Sequence, residues 1–282
     1  MVRDPYARWC GRRGVARLLP IPISNAKAYL NMRYFNLIGN LSNWWLYLAV
    51  KFGLTDVDPV LFRMRKQVLV EVPRRLLQTF KEIFMDECYM DGLELHVPDN
   101  STIIDIGANA GFFTLFAASR FNDSRILAYE PIPFNFKQLA RNRELNADCN
   151  IKCFQKAVAG HSGTVEIMFD PDDSFTTSAT VFQKPHKHNQ VIKVPSITLS
   201  DIFSEHNIER CNLLKMDCEG AEYDIIYNCR LECLSRIDQI AMEVHGGIES
   251  GQNIDSLEAY FGAQGFATRR RPVGMLWAWK KQ

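Results

Sequence analysis

From about residue 96 onward, short apolar runs alternate with helical stretches, and this alternation constrains the fold more than any other feature of the chain. The strand candidates lie at 102–106, 125–129, 151–158, 211–216 and 237–244. Helical stretches separate them, and the end of the chain, 266–279, reads as a hairpin. Such alternation requires crossover connections and a parallel sheet that is covered on both faces. We therefore predict an α/β domain over residues 96–282.

Residues 1–95 lack this alternation and are predicted to form a helical extension. Trp44 and Trp45 open a densely apolar segment. Farther along, apolar residues recur at steps of three and four, which is typical of an amphipathic helix, at Leu76, Leu77, Phe80, Ile83 and Phe84. No catalytic motif is visible here. We expect the extension to cap the α/β domain, to cover a substrate or to pair subunits in a homodimer.

The charge balance bears on the partners. Lys and Arg number 33 against 32 for Asp and Glu, so a nucleic acid is not an expected partner. The first 33 residues are mostly basic, and with Trp44 and Trp45 they leave peripheral membrane contact as a minor alternative. The most apolar stretch, 41–54, is too short to span a bilayer.

The cysteines and histidines give no sign of a metal site. None of the eight cysteines forms a CxxC pair, and no spacing resembles a zinc ribbon. We expect reduced thiols and, since no secretory signal is seen, a cytoplasmic protein. His186 and His188 are close in sequence but have no evident carboxylate partner. No metal ligands are therefore predicted.

The first candidate for binding chemistry is a glycine loop between a strand and a helix, Asp105-Ile-Gly107-Ala-Asn109-Ala-Gly111. Glycines at the carboxyl end of a strand let the backbone turn tightly and approach a ligand. A dinucleotide fingerprint has a second glycine that makes room for a pyrophosphate, but this chain has Asn109 there. The loop therefore favours a ligand without phosphates over a nicotinamide cofactor.

Glu130 closes the next strand, about 25 residues after Asp105. A carboxylate at this place can accept hydrogen bonds from both ribose hydroxyls of a nucleoside. An acidic residue at a strand end is by itself common, so its meaning depends on the preceding glycine loop. Together they predict a nucleoside-containing ligand.

Two later strand ends carry candidate catalytic groups. The segment 213–222 places Asp217, Glu219 and Glu222 within six residues. Glu222 fits an acidic helix start, whereas Asp217 ends an apolar strand that faces the expected ligand crevice. Glu243 and His245 lie at the end of the next strand. A histidine at this place can act as a general base, or its side chain can simply form a hydrogen bond at the strand end.

The segments DIGANAGFFT, YEPIPFNFKQLARNRELN and LLKMDCEGAEYDII together resemble the FkbM family of methyltransferases. The resemblance covers about residues 80–282. It implies a class I methyltransferase, Rossmann-like fold with a seven-stranded, mostly parallel sheet whose last strand is antiparallel. It also implies S-adenosylmethionine as the cofactor.

The resemblance implies the following roles. Gly107, Asn109 and Gly111 would cradle the methionine part of the cofactor, and Asp105 would help to position its amino group. Glu130 would hold the ribose, and Ala157 and Val158 would border the adenine. Asp217 and Glu219 would lie at the reacting centre, with His245 and Asp217 as candidate bases and Glu219 behind them.

The predicted activity is methyl transfer to a hydroxyl of a small molecule or a sugar, of natural-product or glycan type. Three alternatives stay open: N-methylation of a peptide or amine, a nicotinamide-dependent oxidoreductase, and a non-catalytic module that keeps the fold for binding.

Overall fold

The computed structural model describes residues 23–64, 66–169, 190–247, 249–271 and 274–281. The helices in chain order are α1 (Ile23–Asn40), α2 (Trp45–Lys51), α3 (Leu77–Phe84), α4 (Phe112–Arg120), α5 (Pro133–Glu144), α6 (Leu199–Glu205), α7 (Glu222–Tyr227), α8 (Leu231–Leu234) and α9 (Ile254–Ala263). The strands are β1 (Val60–Arg63), β2 (Leu69–Val72), β3 (Thr102–Ile106), β4 (Arg125–Tyr129), β5 (Ile151–Phe154), β6 (Ala157–Val158), β7 (Gly163–Phe169), β8 (Gln190–Ile197), β9 (Leu213–Met216), β10 (Gln239–Glu243), β11 (Phe266–Arg270) and β12 (Met275–Lys280).

A seven-stranded sheet in the order β11-β12-β10-β9-β3-β4-β5 forms the centre. The strands β10, β9, β3, β4 and β5 pair in parallel. β12 is antiparallel to both of its neighbours, β10 and β11. The predicted class I methyltransferase fold, with a mostly parallel sheet and an antiparallel last strand, is thereby confirmed.

The central strands are buried on both faces, which explains why their sequences are mostly apolar. Every residue of β9 and β10 is buried. One core, on the face covered by α4, contains Ile103, Leu213 and Trp277. The other, on the face covered by α6, α7 and α9, contains Ile104, Leu214 and Leu257. In the described part of the chain, no helix combines the length and the apolar character needed to cross a membrane.

The extension is not purely helical, which corrects the prediction for residues 1–95. β1 and β2 form an antiparallel hairpin in which Val60 pairs with Val72 and Phe62 with Val70. These four side chains are buried while alternate residues of β1 are exposed. The period of two was overlooked because each strand has only four residues. The amphipathic helix predicted around Phe80 is present as α3.

The extension packs into the same core as the sheet. The rings of Phe80 and Phe112 lie 6.2 Å apart, and those of Phe84 and Phe116 lie 5.7 Å apart. Asn142 of α5 accepts a hydrogen bond from the Glu71 backbone N–H at 2.8 Å and donates to the Ala110 carbonyl at 2.8 Å. The hairpin is therefore connected through α5 to the glycine loop. The extension and the α/β domain share one core, so the packing is not interrupted at the predicted boundary, residue 95.

The third predicted strand, 151–158, is divided in the structure. β5 joins the main sheet, whereas β6 turns away and pairs in parallel with β8. β7 and β8 pair with each other in antiparallel orientation. They build a separate three-stranded sheet with β6 beyond the edge of the main one.

Candidate functional site

The glycine loop follows β3 at the carboxyl end of the sheet, and its glycines are required sterically. Gly107 has φ +69°, and a Cβ there would lie 1.7 Å from the Asp217 carbonyl oxygen. Gly111 has φ +83° and caps α4, where a Cβ would lie 2.6 Å from Cδ1 of Leu139. The loop is thus pressed against the residue after β9 and against the middle of α5, which leaves little room for a side chain.

Asn109 connects this loop to Glu130. The Asn109 backbone N–H donates to Oε2 of Glu130 at 2.8 Å, and the residue adopts a left-handed φ of +49°. Its Oδ1 atom is buried without a hydrogen-bond partner among the described residues. Because an unsatisfied buried acceptor is costly, this oxygen is suited to a ligand that donates a hydrogen bond.

Glu130 is 4% exposed and lies directly after β4. Its Oε1 accepts hydrogen bonds from the Ile132 N–H at 2.9 Å and from Nδ2 of Asn135 at 3.4 Å. Burial raises the pKa of Glu130 to about 7, although these hydrogen bonds, that of Asn109 and the charge of Lys215 oppose the shift. Two oxygens offer about four acceptor positions, so one position is left for a ligand.

Asp105 is fully buried and forms an ion pair with Lys215. Lys215 Nζ lies 3.1 Å from Oδ1 of Asp105, and the Thr114 hydroxyl donates to Oδ2 at 2.6 Å. Lys215 also donates to the Gly107 carbonyl at 2.7 Å. Asp105 therefore fixes the glycine loop from behind. Sequence reasoning overlooked Lys215, although a lysine inside the apolar run of β9 was a signal for a buried partner.

Four carboxylates converge on one imidazole where β9 and β10 end side by side: Asp217, Glu219, Glu222 and Glu243 around His245. Nε2 of His245 lies 3.5 Å from Oε2 of Glu219 and 3.8 Å from Oε1 of Glu243. Its Nδ1 lies 2.9 Å from Oε1 of Glu222. The structure thus brings the three predicted catalytic residues, Asp217, Glu219 and His245, into one cluster.

This environment changes the acid–base character of His245. Burial disfavours its charged form, but the hydrogen bond to Glu222 and the charges of Glu222, Glu219 and Asp217 raise the pKa of His245 to about 10. A protonated imidazole cannot accept a proton. The expectation that His245 is the general base therefore does not fit the site without a bound ligand, because the negative cluster holds the ring as a cation near neutral pH.

Tyr89 is a site residue contributed by the N-terminal extension. Its hydroxyl donates to Oδ2 of Asp217 at 2.7 Å, and burial holds the pKa of Tyr89 well above its ordinary value. The Trp277 indole N–H donates to the Tyr89 carbonyl at 2.8 Å. Sequence reasoning did not find Tyr89, since no local pattern connects it with Asp217, which lies 128 positions later.

A cavity of about 450 Å³ borders His245 and is also lined by Tyr223, Asn253 and Arg270. Ala157 and Val158 are buried in β6, just beyond the carboxyl end of β5, and their contact with adenine stays a prediction. The polar segment 172–189, which we expect to border the acceptor and which includes His186 and His188, lies outside the described residues.

Comparison with known proteins bears on this site. Residues 105–267 match the profile of the methyltransferase FkbM domain. "Methyltransferase 1" of Beauveria bassiana is 31% identical over 213 residues, 70% of this chain and 82% of that protein. "31-O-demethyl-FK506 methyltransferase FkbM" of Streptomyces tacrolimicus is 27% identical over 193 residues, 59% of this chain and 73% of that protein. The crystal structure of methyltransferase FkbM from Methylobacillus flagellatus superposes with a TM-score of 0.47 at 14% identity, covering 73% of this chain and 54% of that one.

Proposed function

Because this chain belongs to the FkbM family of methyltransferases, we propose that it transfers the methyl group of S-adenosylmethionine to a hydroxyl of a small-molecule or sugar-containing acceptor. The observation that carries the proposal is the hydrogen bond from the Asn109 backbone to Glu130, beside the carboxylate cluster at the same end of the sheet. The name of the Streptomyces relative specifies an O-demethyl acceptor, which supports oxygen as the nucleophile.

The cofactor would lie across the ends of β3 and β4. Gly107 and Gly111 would let the backbone approach its methionine part, and the buried Oδ1 of Asn109 would accept a hydrogen bond from it. The remaining acceptor position of Glu130 would bind the ribose. The adenine would lie beyond β5, next to Ala157 and Val158. In this arrangement Asp105 acts through Lys215 and the loop.

The cofactor supplies a sulfonium whose thioether is a good leaving group, so the protein mainly aligns the reacting atoms. Such alignment can contribute roughly 7–11 kcal/mol to the barrier reduction. An alkyl hydroxyl also has to lose its proton, which a positioned base accelerates by about 10²–10⁴-fold. Asp217, held by Tyr89, and Glu219 are the candidates that this geometry favours.

The acceptor would enter through the cavity beside His245, whose size falls in the range typical of small-ligand sites.

The redox state of the cysteines supports a cytoplasmic location. The described residues include seven free thiols: Cys88, Cys149, Cys153, Cys211, Cys218, Cys229 and Cys233. A homodimer remains a proposal that the sedimentation coefficient of the protein would decide.

Calorimetric titration tests the cofactor assignment. We expect S-adenosylmethionine and S-adenosylhomocysteine to bind, NAD to give no heat, and Glu130→Ala to lose binding of both. Glu166→Ala, which removes an exposed carboxylate of β7, is the control and should bind as the wild type does. Binding of NAD alone would overturn the proposal. Mass spectrometry of a methylated product then separates O- from N-methylation, and binding without turnover on any acceptor would favour a non-catalytic module.

Cofactor affinity should depend on pH through Glu130. A ribose hydroxyl would donate to its ionised form, so binding would lower a pKa that stands at about 7 in the unliganded protein. By linkage, affinity should fall as the pH drops below 7, by up to about tenfold per pH unit. Calorimetry between pH 5.5 and pH 8.5 measures this slope. Glu130→Gln should bind weakly and show no such slope, and an equal slope in that variant would assign the titration to another group.

A further inference from the structure

We propose that Asp217, Glu243 and His245 bind a divalent metal ion at the carboxyl ends of β9 and β10. One potential ligand atom of each residue lies within 4.8 Å of the other two. The inference departs from the expectation that the chain has no metal ligands. Ion binding itself does not depend on the proposed methyl transfer, whereas the role given to the ion below rests on it.

The fold makes these three side chains converge. β9 and β10 pair in parallel, so Asp217 and Glu243 leave the sheet at the same edge. His245 follows two residues after β10 and turns its ring back toward them, with Nε2 3.8 Å from Oε1 of Glu243. An ion between the three atoms needs only small side-chain movements, because metal–ligand distances are about 2.0–2.2 Å.

The surrounding residues resemble the outer shell of a metal site. Metal-binding histidines commonly donate their second ring N–H to a carboxylate, which fixes the tautomer and directs the other nitrogen at the ion. Here Nδ1 of His245 lies 2.9 Å from Oε1 of Glu222, whose side chain is completely buried. Ligating carboxylates are likewise hydrogen-bonded, and the Tyr89 hydroxyl holds Asp217 at 2.7 Å.

Glu222 provides a second, independent indication of a bound cation. Its side chain has no exposed surface, and its Oε2 has no hydrogen-bond partner among the described residues. A buried carboxylate with an unsatisfied oxygen is expensive unless positive charge is close. A helix start alone explains an exposed acid, but it does not explain one buried against a histidine. An ion on Nε2 would take the place of the proton on that nitrogen and would bring a higher positive charge next to Glu222.

The ligand set selects the kind of ion. Two carboxylates suit Mg²⁺ and Mn²⁺, whereas one imidazole favours first-row transition ions over Mg²⁺ and Ca²⁺. No cysteine belongs to the set, so a closed structural zinc site of the thiolate type does not fit. We therefore assign the site to a first-row divalent ion with open positions, for which Mn²⁺ is a suitable probe.

The ion would bind the acceptor oxygen and lower the pKa of its hydroxyl. The oxygen would form a bond to the methyl carbon while the carbon–sulfur bond breaks and the sulfonium becomes a thioether. The hydroxyl proton would pass to the carboxylate of Glu219, which lies 3.5 Å from Nε2 of His245. With the ring held on the ion, His245 positions the acceptor and is not required as a base.

Electron paramagnetic resonance tests the site on the full-length protein. After removal of metals with a chelator and dialysis, Mn²⁺ is added and the signal of unbound Mn²⁺ is followed. We expect the wild type to take up one equivalent. Glu243→Gln and His245→Gln should lose binding, and Glu222→Gln should weaken it by about 10–100-fold. Glu166→Gln is the matched control and should bind like the wild type.

The possible outcomes separate this inference from the proposed function. Thermal unfolding in the presence of chelator shows whether each variant is folded. If a variant is not folded, the Mn²⁺ titration of the wild type alone decides whether the site exists. An unchanged Mn²⁺ signal with wild-type protein, or equal uptake by all folded variants, overturns the site. S-adenosylmethionine binding without Mn²⁺ binding overturns the metal site and leaves the proposed function intact. Mn²⁺ binding without S-adenosylmethionine binding overturns the proposed function and leaves the metal site intact.

Discussion

Gly107→Ala is expected to abolish detectable binding of S-adenosylmethionine. The added methyl carbon would lie 1.7 Å from the Asp217 carbonyl oxygen, which is part of the backbone and cannot rotate away. The φ of +69° adds about 1–2 kcal/mol of strain for an L-residue. The loop has to move off β9, and this movement separates the cofactor cradle from the carboxylate cluster. Calorimetry measures the affinity, and thermal unfolding shows whether the protein still folds.

Gly53→Ala is a matched control for this substitution. Gly53 has a nearly identical φ of +68°, but nothing lies within 4 Å of the position of its Cβ. It should therefore show the backbone strain alone, with S-adenosylmethionine affinity close to that of the wild type. If Gly107→Ala bound the cofactor as tightly as Gly53→Ala does, the glycine loop could not be the cofactor cradle.

The sheet could be predicted from sequence because its signals are local. Buried parallel strands are mostly apolar, and a glycine loop or a helix start follows several of them, as after β3 and β9. β1 and β2 could not be predicted in this way. Their alternation is short, and the backbone of β2 is held by Asn142 of α5 and by Asn146 just after that helix, about 70 residues farther along the chain.

The candidate site shows the same division between local and distant information. Asp217, Glu219 and His245 each end a predicted strand or follow it closely, so parallel pairing alone brings them together. The partners that set their chemistry come from elsewhere: Tyr89 reaches Asp217 from the extension, and Glu222 begins α7 yet pairs with His245. The sequence indicated that Glu222 begins a helix. It could not indicate that the side chain of Glu222 is buried against His245, which follows β10.

Lys215→Met is expected to destabilise the fold by about 3–5 kcal/mol. The substitution leaves Asp105 as a fully buried carboxylate whose ion-pair partner at 3.1 Å is gone, and it removes the hydrogen bond to the Gly107 carbonyl. Urea unfolding measures the loss. Lys193→Met removes an exposed partner of Glu166 at 3.4 Å and should cost at most about 1 kcal/mol, which makes it the matched control.

The double variant Asp105→Asn/Lys215→Met distinguishes a lost attraction from an uncompensated charge. If Lys215→Met loses stability because the Asp105 carboxylate is left without a partner, then removing that carboxylate as well should restore part of the stability. The double variant has no buried charge at this position. Additive losses would instead show that Lys215 acts mainly through the carbonyls of the glycine loop. Under both mechanisms cofactor affinity should fall together with stability, since Lys215 joins β9 to the loop that we assign to the cofactor. If the Lys215→Met protein were stable and bound S-adenosylmethionine with unchanged affinity, the Asp105–Lys215 pair would have no role in cofactor binding.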